Sequence, residues 1–262
     1  MELGIYPDIN HDDYHKLDYI SHSYLQKLNT CPANAKVPTE ETPAMVFGRA
    51  FHVLMLEGLD VYVEQYAVAD AKDKRTKEGK AWWAKFKENN PNKTIIDKDD
   101  HDRMEEMVNA VVKHPFACKL MAEGRSEQTI IWEEEGQRCK ARPDRIPDGE
   151  HGVIVDIKTA GSADSKAFTS SCMRYGYAMQ AGMYITGFNQ VCSAKVDAFV
   201  FVVVEKEPPY RVEVYTLEDA FIQWGISEYH RLLALEIECR ERNFWPHFQN
   251  AGAQELYLPN YY

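Results

Sequence analysis

The sequence predicts an α/β fold with a central mixed β-sheet flanked by helices. The first observation is the order of the elements: helical segments, three strands, a helix, two strands and a final helix. The second is that residues 153–158 and 196–205 are rich in the Val, Ile and Phe that favour strands. We therefore expect helices on either side of the strand-rich region to cover the sheet.

The composition is that of a globular protein, and it argues against several kinds of site. The chain has 262 residues, of which 45% are hydrophobic and 27% charged. We expect one domain over 1–262, with a lead-in over 1–45, a core over 46–243 and a tail over 244–262. The six cysteines contain no CxxC pair. This spacing argues against a zinc ribbon, an iron–sulfur cluster and a disulfide framework.

Charge and hydropathy also limit the partners. No apolar run approaches about 18 residues, and no basic-then-apolar segment opens the chain, so we expect no membrane association and a cytoplasmic protein. The net charge of −11 argues against a protein that coats nucleic acid non-specifically. A local basic groove remains compatible with this charge, because the field near a site matters more than the total.

Two helices are predicted before residue 60. Ser21 suits the N-cap of a short helix that Pro32 would end, and residues 44–57 are apolar enough for a mostly buried helix. His52 lies in this second helix. A lone histidine on an apolar helix is more often a hydrogen-bonded core residue than a ligand, so both interpretations stay open.

Residues 70–90 form the most basic segment of this acidic chain. Its lysines are interleaved with Trp82, Trp83 and Phe86. One interpretation is a solvated helix face whose tryptophans enter the core. The other is an arm that contacts phosphates, with aromatic rings that stack on unpaired bases. On that second interpretation the candidate DNA contacts are Lys72, Lys74, Arg75, Lys77 and Lys80.

The remaining elements follow from proline, turn and periodicity signals. A pair of helices over 97–123 is interrupted at Pro115. A hairpin turns around residues 133–136 and joins strands over 126–132 and 137–142. The later elements are a helix over 164–188, strands over 196–205 and 210–215, and a helix over 217–243.

The most informative stretch runs from Cys139 to Thr159. It is predicted to form two paired strands, and in the second of them Val153, Val155 and Ile157 share a buried apolar face. The opposite face ends in Asp156 beside Lys158, and pairing would bring Asp144 next to Asp156. Two carboxylates and a lysine there suit a divalent cation and a water. However, an Asp–Lys neighbour pair on a surface is usually solvated and contributes little.

Five short motifs, taken in order, resemble those of the RecB-like branch of the PD-(D/E)xK nucleases. Each motif is weak alone, but five in order are a strong signal. The similarity spans roughly residues 20–215 and is greatest to nuclease domains of the RecE (exonuclease VIII) type. The motifs are Ser21-x-Ser23-x-Leu25 with Cys31-Pro32, Gly48-Arg-Ala-Phe-His52, Pro143-Asp144, Asp156-Ile-Lys158 and Gln180-Ala-Gly-Met-Tyr184.

The resemblance implies a set of site residues. His52, Asp144, Asp156 and the backbone carbonyl of Ile157 would bind Mg²⁺, and Mn²⁺ would substitute. Lys158 would hold or activate the attacking water, because a nearby dication disfavours its ammonium form. Only Cys31 matches the cysteines that ligate an iron–sulfur cluster in some members, so we expect no cluster. The residues that would line the site are Gln180 and Tyr184.

The resemblance also implies an activity and partners. A RecE-type enzyme would digest linear double-stranded DNA 5′→3′ and leave 3′ single-stranded tails for recombination. It would form a ring-shaped homotetramer and act with a single-strand annealing protein of the RecT kind. Alternatives on the same fold are a Cas4-like single-strand exonuclease, an endonuclease, or an inactive DNA-binding or assembly subunit. A fourth alternative is an enzyme unrelated to DNA in which Asp-Ile-Lys is coincidental.

Overall fold

The computed structural model describes residues 1–70, 73, 75–122, 124–146, 151–247, 253, 255 and 257. Within this part of the chain no helix is long and apolar enough to cross a membrane. In chain order the elements are β1 Gly4–Tyr6, α1 His11–Lys16, α2 His22–Thr30, a 3₁₀ helix Pro32–Lys36, α3 Pro43–His52, a π-helical turn Val53–Glu57, α4 Leu59–Gln65, β2 Tyr66–Ala69, α5 Lys77–Asn89, β3 Thr94–Asp97, α6 Lys98–Lys113, α7 Pro115–Ala122, β4 Arg125–Ser126, β5 Thr129–Glu134, β6 Gln137–Ala141, β7 Arg145–Ile146, β8 His151–Ala160, α8 Ser165–Tyr175, α9 Tyr177–Val191, β9 Lys195–Glu205, β10 Val212–Thr216 and α10 Asp219–Glu241.

The predicted central mixed sheet is confirmed. Its strand order is β10-β9-β8-β7-β4, with β8 and β9 parallel and the other neighbours antiparallel. The long pairing of β8 with β9 runs from His151 opposite Lys195 to Ala160 opposite Glu205. This pair forms the rigid centre on which the candidate site is built.

The predicted buried apolar face of residues 153–158 is confirmed, but the opposite face, which was not predicted to be buried, is covered as well. Val155 and Ile157 pack with α3, α6 and α7 on one side. Ile154, on the other side, is fully buried with residues of α2, α8, α9 and α10. Parallel strands are normally covered on both faces. The polar side chains of Asp156 and Lys158 concealed this burial in the sequence.

The predicted hairpin is confirmed, but it belongs to a different sheet. β5 and β6 pair around Glu135-Gly136, whose positive φ angles of 48° and 71° suit a two-residue hairpin turn. With β1 they form a separate three-stranded sheet. The first of the two paired strands predicted between Cys139 and Thr159 therefore stops at Ala141, and only the short β7 pairs with β8. Asp144 lies in the break between the two sheets.

The helices lie where the sequence predicts them, but one predicted helix is divided into two. α6 and α7 meet at Pro115 as expected. The single helix predicted over 164–188 is two helices, because Gly176 adopts φ 68° and ends α8 before α9 begins. The sequence analysis also missed the parallel pair of β2 and β3, which encloses α5 and the basic segment in one βαβ unit.

Candidate metal and active site

Asp144 is the centre of the candidate site. Asp144 is buried, with 5% of its surface exposed. Oδ2 accepts a hydrogen bond from the Ile157 backbone amide at 2.6 Å, and Oδ1 lies 3.2 Å from His52 Nδ1. The break after β6 places Asp144 beside β8, where β7 no longer covers the strand. The amide and carbonyl of a strand residue point to the same edge. The Ile157 carbonyl therefore faces this edge too, and its role as a ligand stays a prediction.

His52 reaches Asp144 from the end of α3. This helix buries Phe47, Ala50 and Phe51 in the core, which fixes its position against the sheet. His52 is its last residue, and the π-helical turn 53–57 follows directly. Such turns are frequent at functional sites. The sequence left two interpretations of His52 open, a core residue or a ligand. The structure shows its imidazole partly exposed and turned towards the Asp144 carboxylate.

Glu127 is the third group, and the sequence analysis missed it. One ligand atom each from His52, Glu127 and Asp144 lies within 4.8 Å of the others. Glu127 occupies the link between β4 and β5, and its carboxylate lies 2.5 Å from the Arg142 guanidinium. No motif contains it. Its proximity arises only because the two sheets meet at this point.

Asp156, Lys158 and Gln180 form a closed polar triangle next to this group. Lys158 Nζ lies 2.6 Å from Asp156 Oδ2 and donates to Gln180 Oε1 at 3.1 Å. Gln180 Nε2 in turn donates to Asp156 Oδ1 at 2.7 Å. The Lys158 ammonium also lies 4.5 Å from the centre of the Tyr177 ring. The structure thus brings these three predicted residues together, while their roles stay predictions.

The packing of α9 fixes Gln180. α9 crosses α10 at a pair of glycines, where a Cβ on Gly182 would lie 2.4 Å from the Ile226 nitrogen and one on Gly225 would lie 2.0 Å from the Ala178 oxygen. Larger residues would force the helices apart and withdraw Gln180 from Asp156. Tyr184, one turn further along α9, is 7% exposed and lines the cleft described below.

The carboxyl groups differ in their readiness to ionise. Burial raises the pKa of Asp156 to about 6, which the Lys158 charge opposes and the Asp144 charge increases. Burial and the Asp144 charge also raise the pKa of Glu127 to about 7. Burial alone would also raise the pKa of Asp144. Its pKa is nevertheless lowered, because burial is outweighed by the charge and hydrogen bond of His52, the charge of Lys158 and the hydrogen bond from the Ile157 amide. Asp144 is therefore the most firmly ionised of the three.

Lys158 is an ammonium ion in this arrangement. Burial alone would lower its pKa, but Asp156 and the neighbouring groups outweigh burial and raise it. An ammonium group at this position can donate a hydrogen bond to a water, and its proton would be lost more readily if further positive charge entered the site, so the role of Lys158 stays a prediction.

The donor set fits a divalent cation. Carboxylate oxygens suit Mg²⁺, and an imidazole also suits Mn²⁺. Buried carboxylates that repel one another gain most from a bound dication. The predicted residues that would hold it are His52 and Asp144, with Asp156 and the Ile157 carbonyl as the further predicted ligands.

The three groups face a cleft of about 770 Å³. Its walls include α1, the N-terminal end of α2 with Ser21 and Ser23, and Arg49 of α3. The motif Ser21-x-Ser23 thus lies at the cleft, where Ser21 caps α2 by accepting a hydrogen bond from the Tyr24 amide. A cavity of this size accommodates a ligand of several hundred cubic ångströms.

The basic segment lies elsewhere as far as the structure describes it. Arg75 binds Asp73 through two nitrogens, Lys77 begins α5, and Lys80 lines a hollow beside Trp83 and β3. Among the described residues of the segment, none lines the 770 Å³ cleft. Lys72 and Lys74 lie outside the described residues.

We expect the stability of the metal-free protein to fall as the pH rises from 7 to 9.5. Burial lowers the pKa of His52, but Asp144 and the other carboxylates outweigh it and raise the value to about 9. A folded-state pKa above the unfolded 6.5 adds stability that is complete below pH 6.5 and is lost as the pH passes 9. The loss is roughly 1–3 kcal/mol, or a few degrees in Tm. Thermal melts in EDTA would measure it.

The matched variant for this prediction is His52→Gln. Burial lowers the pKa of Lys140 to about 8, so this group makes stability rise with pH above about 8 and offsets part of the His52 effect. The difference between wild type and variant isolates His52. Mg²⁺ should also raise the wild-type Tm more at pH 9 than at pH 7, because an imidazole ligand must be neutral. Identical pH profiles in both proteins would contradict the pairing of His52 with Asp144.

Comparison with solved structures gives a match that shares this fold. A solved structure named "Putative exonuclease" from Eubacterium rectale has a TM-score of 0.67 at 14% identity, over 96% of each chain. An alkaline exonuclease from Laribacter hongkongensis has a TM-score of 0.28 at 14% identity, over 74% of this chain and 97% of the other. Curated protein sequences gave no match. The RecE-type assignment within the superfamily stays a prediction.

A family profile gives the assignment. Residues 21–255 match the family described as a PDDEXK-like domain of unknown function, DUF3799. The match begins at the N-cap of α2 and includes His52, Glu127, Asp144, Asp156 and Lys158. The chain therefore belongs to the PDDEXK-like family DUF3799.

Proposed function

We propose that this protein is a divalent-metal-dependent DNA exonuclease that digests linear double-stranded DNA 5′→3′ and leaves 3′ single-stranded tails for recombination. The observation that supports the chemistry most directly is the contact of Asp144 with His52 and Ile157, beside the Asp156–Lys158–Gln180 triangle. The fold shared with the Eubacterium rectale protein is compatible with a nuclease. Direction and substrate form come from the RecE-type resemblance.

Each residue of the site has a different role in the proposed phosphodiester hydrolysis. A bound Mg²⁺ would supply an acidified water and polarise the phosphoryl oxygen. Asp144 and His52 hold the cation side of the site, because their ligand atoms already face each other. Lys158 donates to the attacking water, and Asp156 with Gln180 fixes its ammonium group. Tyr184 lines the cleft wall that receives the substrate.

The test compares end-labelled linear duplex DNA with a covalently closed circle, in Mg²⁺ and in EDTA. We expect release of label from the 5′ ends of the linear duplex in Mg²⁺, and no reaction on the circle or in EDTA. Cleavage of the circle would show that the protein is an endonuclease and not an exonuclease. Preference for single strands would indicate the Cas4-like alternative. No cleavage under any condition would favour an inactive DNA-binding or assembly subunit.

We further propose a ring-shaped homotetramer that acts with a RecT-like annealing protein. A ring would gather the few basic segments of a chain with net charge −11 around one channel. Light scattering coupled to size exclusion should give four times the monomer mass of 30.2 kDa. A monomer at micromolar concentration would contradict the ring. Co-elution of annealing protein with the nuclease tests the partner separately.

The basic segment gives a prediction about DNA binding. Neutralising Lys74, Arg75 and Lys77 together should weaken binding to any sequence, since phosphate contacts carry no base information. Each lost contact should reduce the slope of log binding constant against log salt by about one unit. Titrations in Ca²⁺ at several salt concentrations would measure this without cleavage.

A control with the same change of charge removes Lys113, Lys119 and Lys166, which are exposed on α6, α7 and α8. It should leave the salt slope nearly unchanged. Equal slopes for wild type and the first triple variant would support the interpretation of a solvated helix face.

A further inference from the structure

We infer that Glu127 is a third protein ligand of the divalent cation, beside His52 and Asp144. The inference rests on the proposed function, because that function requires the cation. Glu127 belongs to none of the five motifs, so the three-dimensional arrangement alone identifies it.

The spacing of the three groups supports this inference. Mg²⁺ binds oxygen at 2.0–2.1 Å in an octahedron, so adjacent ligand atoms lie about 3 Å apart and opposite ones about 4.2 Å apart. His52 Nδ1 and Asp144 Oδ1 are 3.2 Å apart, and all three ligand atoms lie within 4.8 Å of one another. The three side chains also line the same cleft. Small side-chain adjustments would therefore bring them around one ion.

The backbone holds Glu127 in this place at a conformational cost. Its φ is 53°, in the left-handed region that is unfavourable for a residue with a side chain. Its amide donates to the Asp144 carbonyl oxygen at 3.3 Å. This conformation turns the chain from β4 of the central sheet into β5 of the second sheet. Strain that the surrounding structure maintains is found preferentially at functional sites.

Arg142 provides the alternative explanation. Its Nε lies 2.5 Å from Glu127 Oε2, so the carboxylate would be only a structural partner of the guanidinium. Arg142 has other partners as well, since Nη1 donates to the Ile9 carbonyl at 2.5 Å and lies 3.4 Å from Thr129 Oγ1. It is therefore anchored independently of Glu127. A carboxylate has two oxygens with about four lone-pair positions, so a cation and a guanidinium can share it.

Mn²⁺ titration without nucleic acid separates the two explanations. Glu127→Gln keeps an acceptor for Arg142 but removes the charge, and we expect the Mn²⁺ dissociation constant to rise at least tenfold. The matched control is Glu133→Gln, because Glu133 also pairs with an arginine, Arg138, at 3.2 Å on the β5–β6 hairpin. That control should bind Mn²⁺ as wild type does.

A second variant is expected to change Mn²⁺ affinity in the opposite direction. Arg142→Gln removes the cation that competes for Glu127, so Mn²⁺ binding should become several-fold tighter if Glu127 is a ligand. A purely structural pair predicts unchanged or weaker binding. This variant keeps the inference testable even if Glu127→Gln does not fold.

The outcomes distinguish this inference from the proposed function. Wild-type Mn²⁺ affinity in Glu127→Gln, or no tighter binding in Arg142→Gln, would overturn the role of Glu127 while leaving a nuclease intact. Weakened binding in Glu127→Gln and tighter binding in Arg142→Gln would support that role. If both variants showed these changes in Mn²⁺ affinity but the wild-type protein cleaved no DNA, the proposed function would be refuted and Glu127 would remain a metal ligand.

Discussion

Asp144→Asn is expected to abolish phosphodiester cleavage, with a loss of at least about 10³-fold. Asp144 is the most firmly ionised carboxylate of the site and contacts both His52 and the Ile157 amide. Loss of its charge removes the main anchor of the cation, and metal-based stabilisation of a transition state is worth several kcal/mol. About 4 kcal/mol corresponds to a factor of 10³ in rate.

Asn is a better replacement than Ala at this position. The Ile157 amide donates to Asp144 in a buried setting. Asp144→Ala would leave that amide unpaired, at a cost of about 1–3 kcal/mol. Asn keeps an acceptor oxygen, so the fold should survive and the effect should be confined to metal binding and cleavage.

The measurement combines Mg²⁺-dependent cleavage of labelled duplex with thermal melts in EDTA. Asp99→Asn is the control, because Asp99 is an exposed residue of α6. It should match wild type in both assays. Cleavage by Asp144→Asn within tenfold of wild type would remove Asp144 from the metal site.

The parts of the site that the sequence predicts are those fixed by local geometry. The alternation of side chains along a strand places Asp156 and Lys158 on one face, and helical spacing places Gln180 and Tyr184 together. Asp144 was predicted because strand pairing would bring it next to Asp156, and because Pro143-Asp144 resembles a motif of the nuclease family. These relations depend on neighbours within one or two elements.

The parts that the sequence does not predict depend on where distant segments meet. Glu127 reaches the site because β4 and β5 belong to different sheets, and hydrophobic patterning does not distinguish one sheet from the next. β2 and β3 each have four residues, too few to show a period. Their pairing, across the whole of α5, comes from tertiary contacts. The burial of both faces of β8 has the same origin.

Lys158→Met is expected to stop cleavage and also to destabilise the protein. Its ammonium lies 2.6 Å from Asp156 Oδ2, which belongs to a residue that is 2% exposed. Removing one partner of a buried ion pair leaves an uncompensated charge, at a cost of about 3–5 kcal/mol. For a chain of this size that is a fall in Tm on the order of 10 °C.

The double variant separates stability from catalysis. Adding Asp156→Asn to Lys158→Met removes the unpaired charge and keeps an acceptor for Gln180, so most of the lost stability should return. The coupling energy of the cycle should be about 2 kcal/mol or more. The exposed pair Lys98–Asp102, also 2.6 Å apart, is the control, and its coupling should stay below about 1 kcal/mol. Cleavage should remain at least about 10²-fold below wild type in the double variant, because the group that holds the water is still absent and Asp156, a predicted ligand of the cation, has lost its charge. If the double variant recovered cleavage along with its stability, Lys158 and Asp156 would both be structural residues.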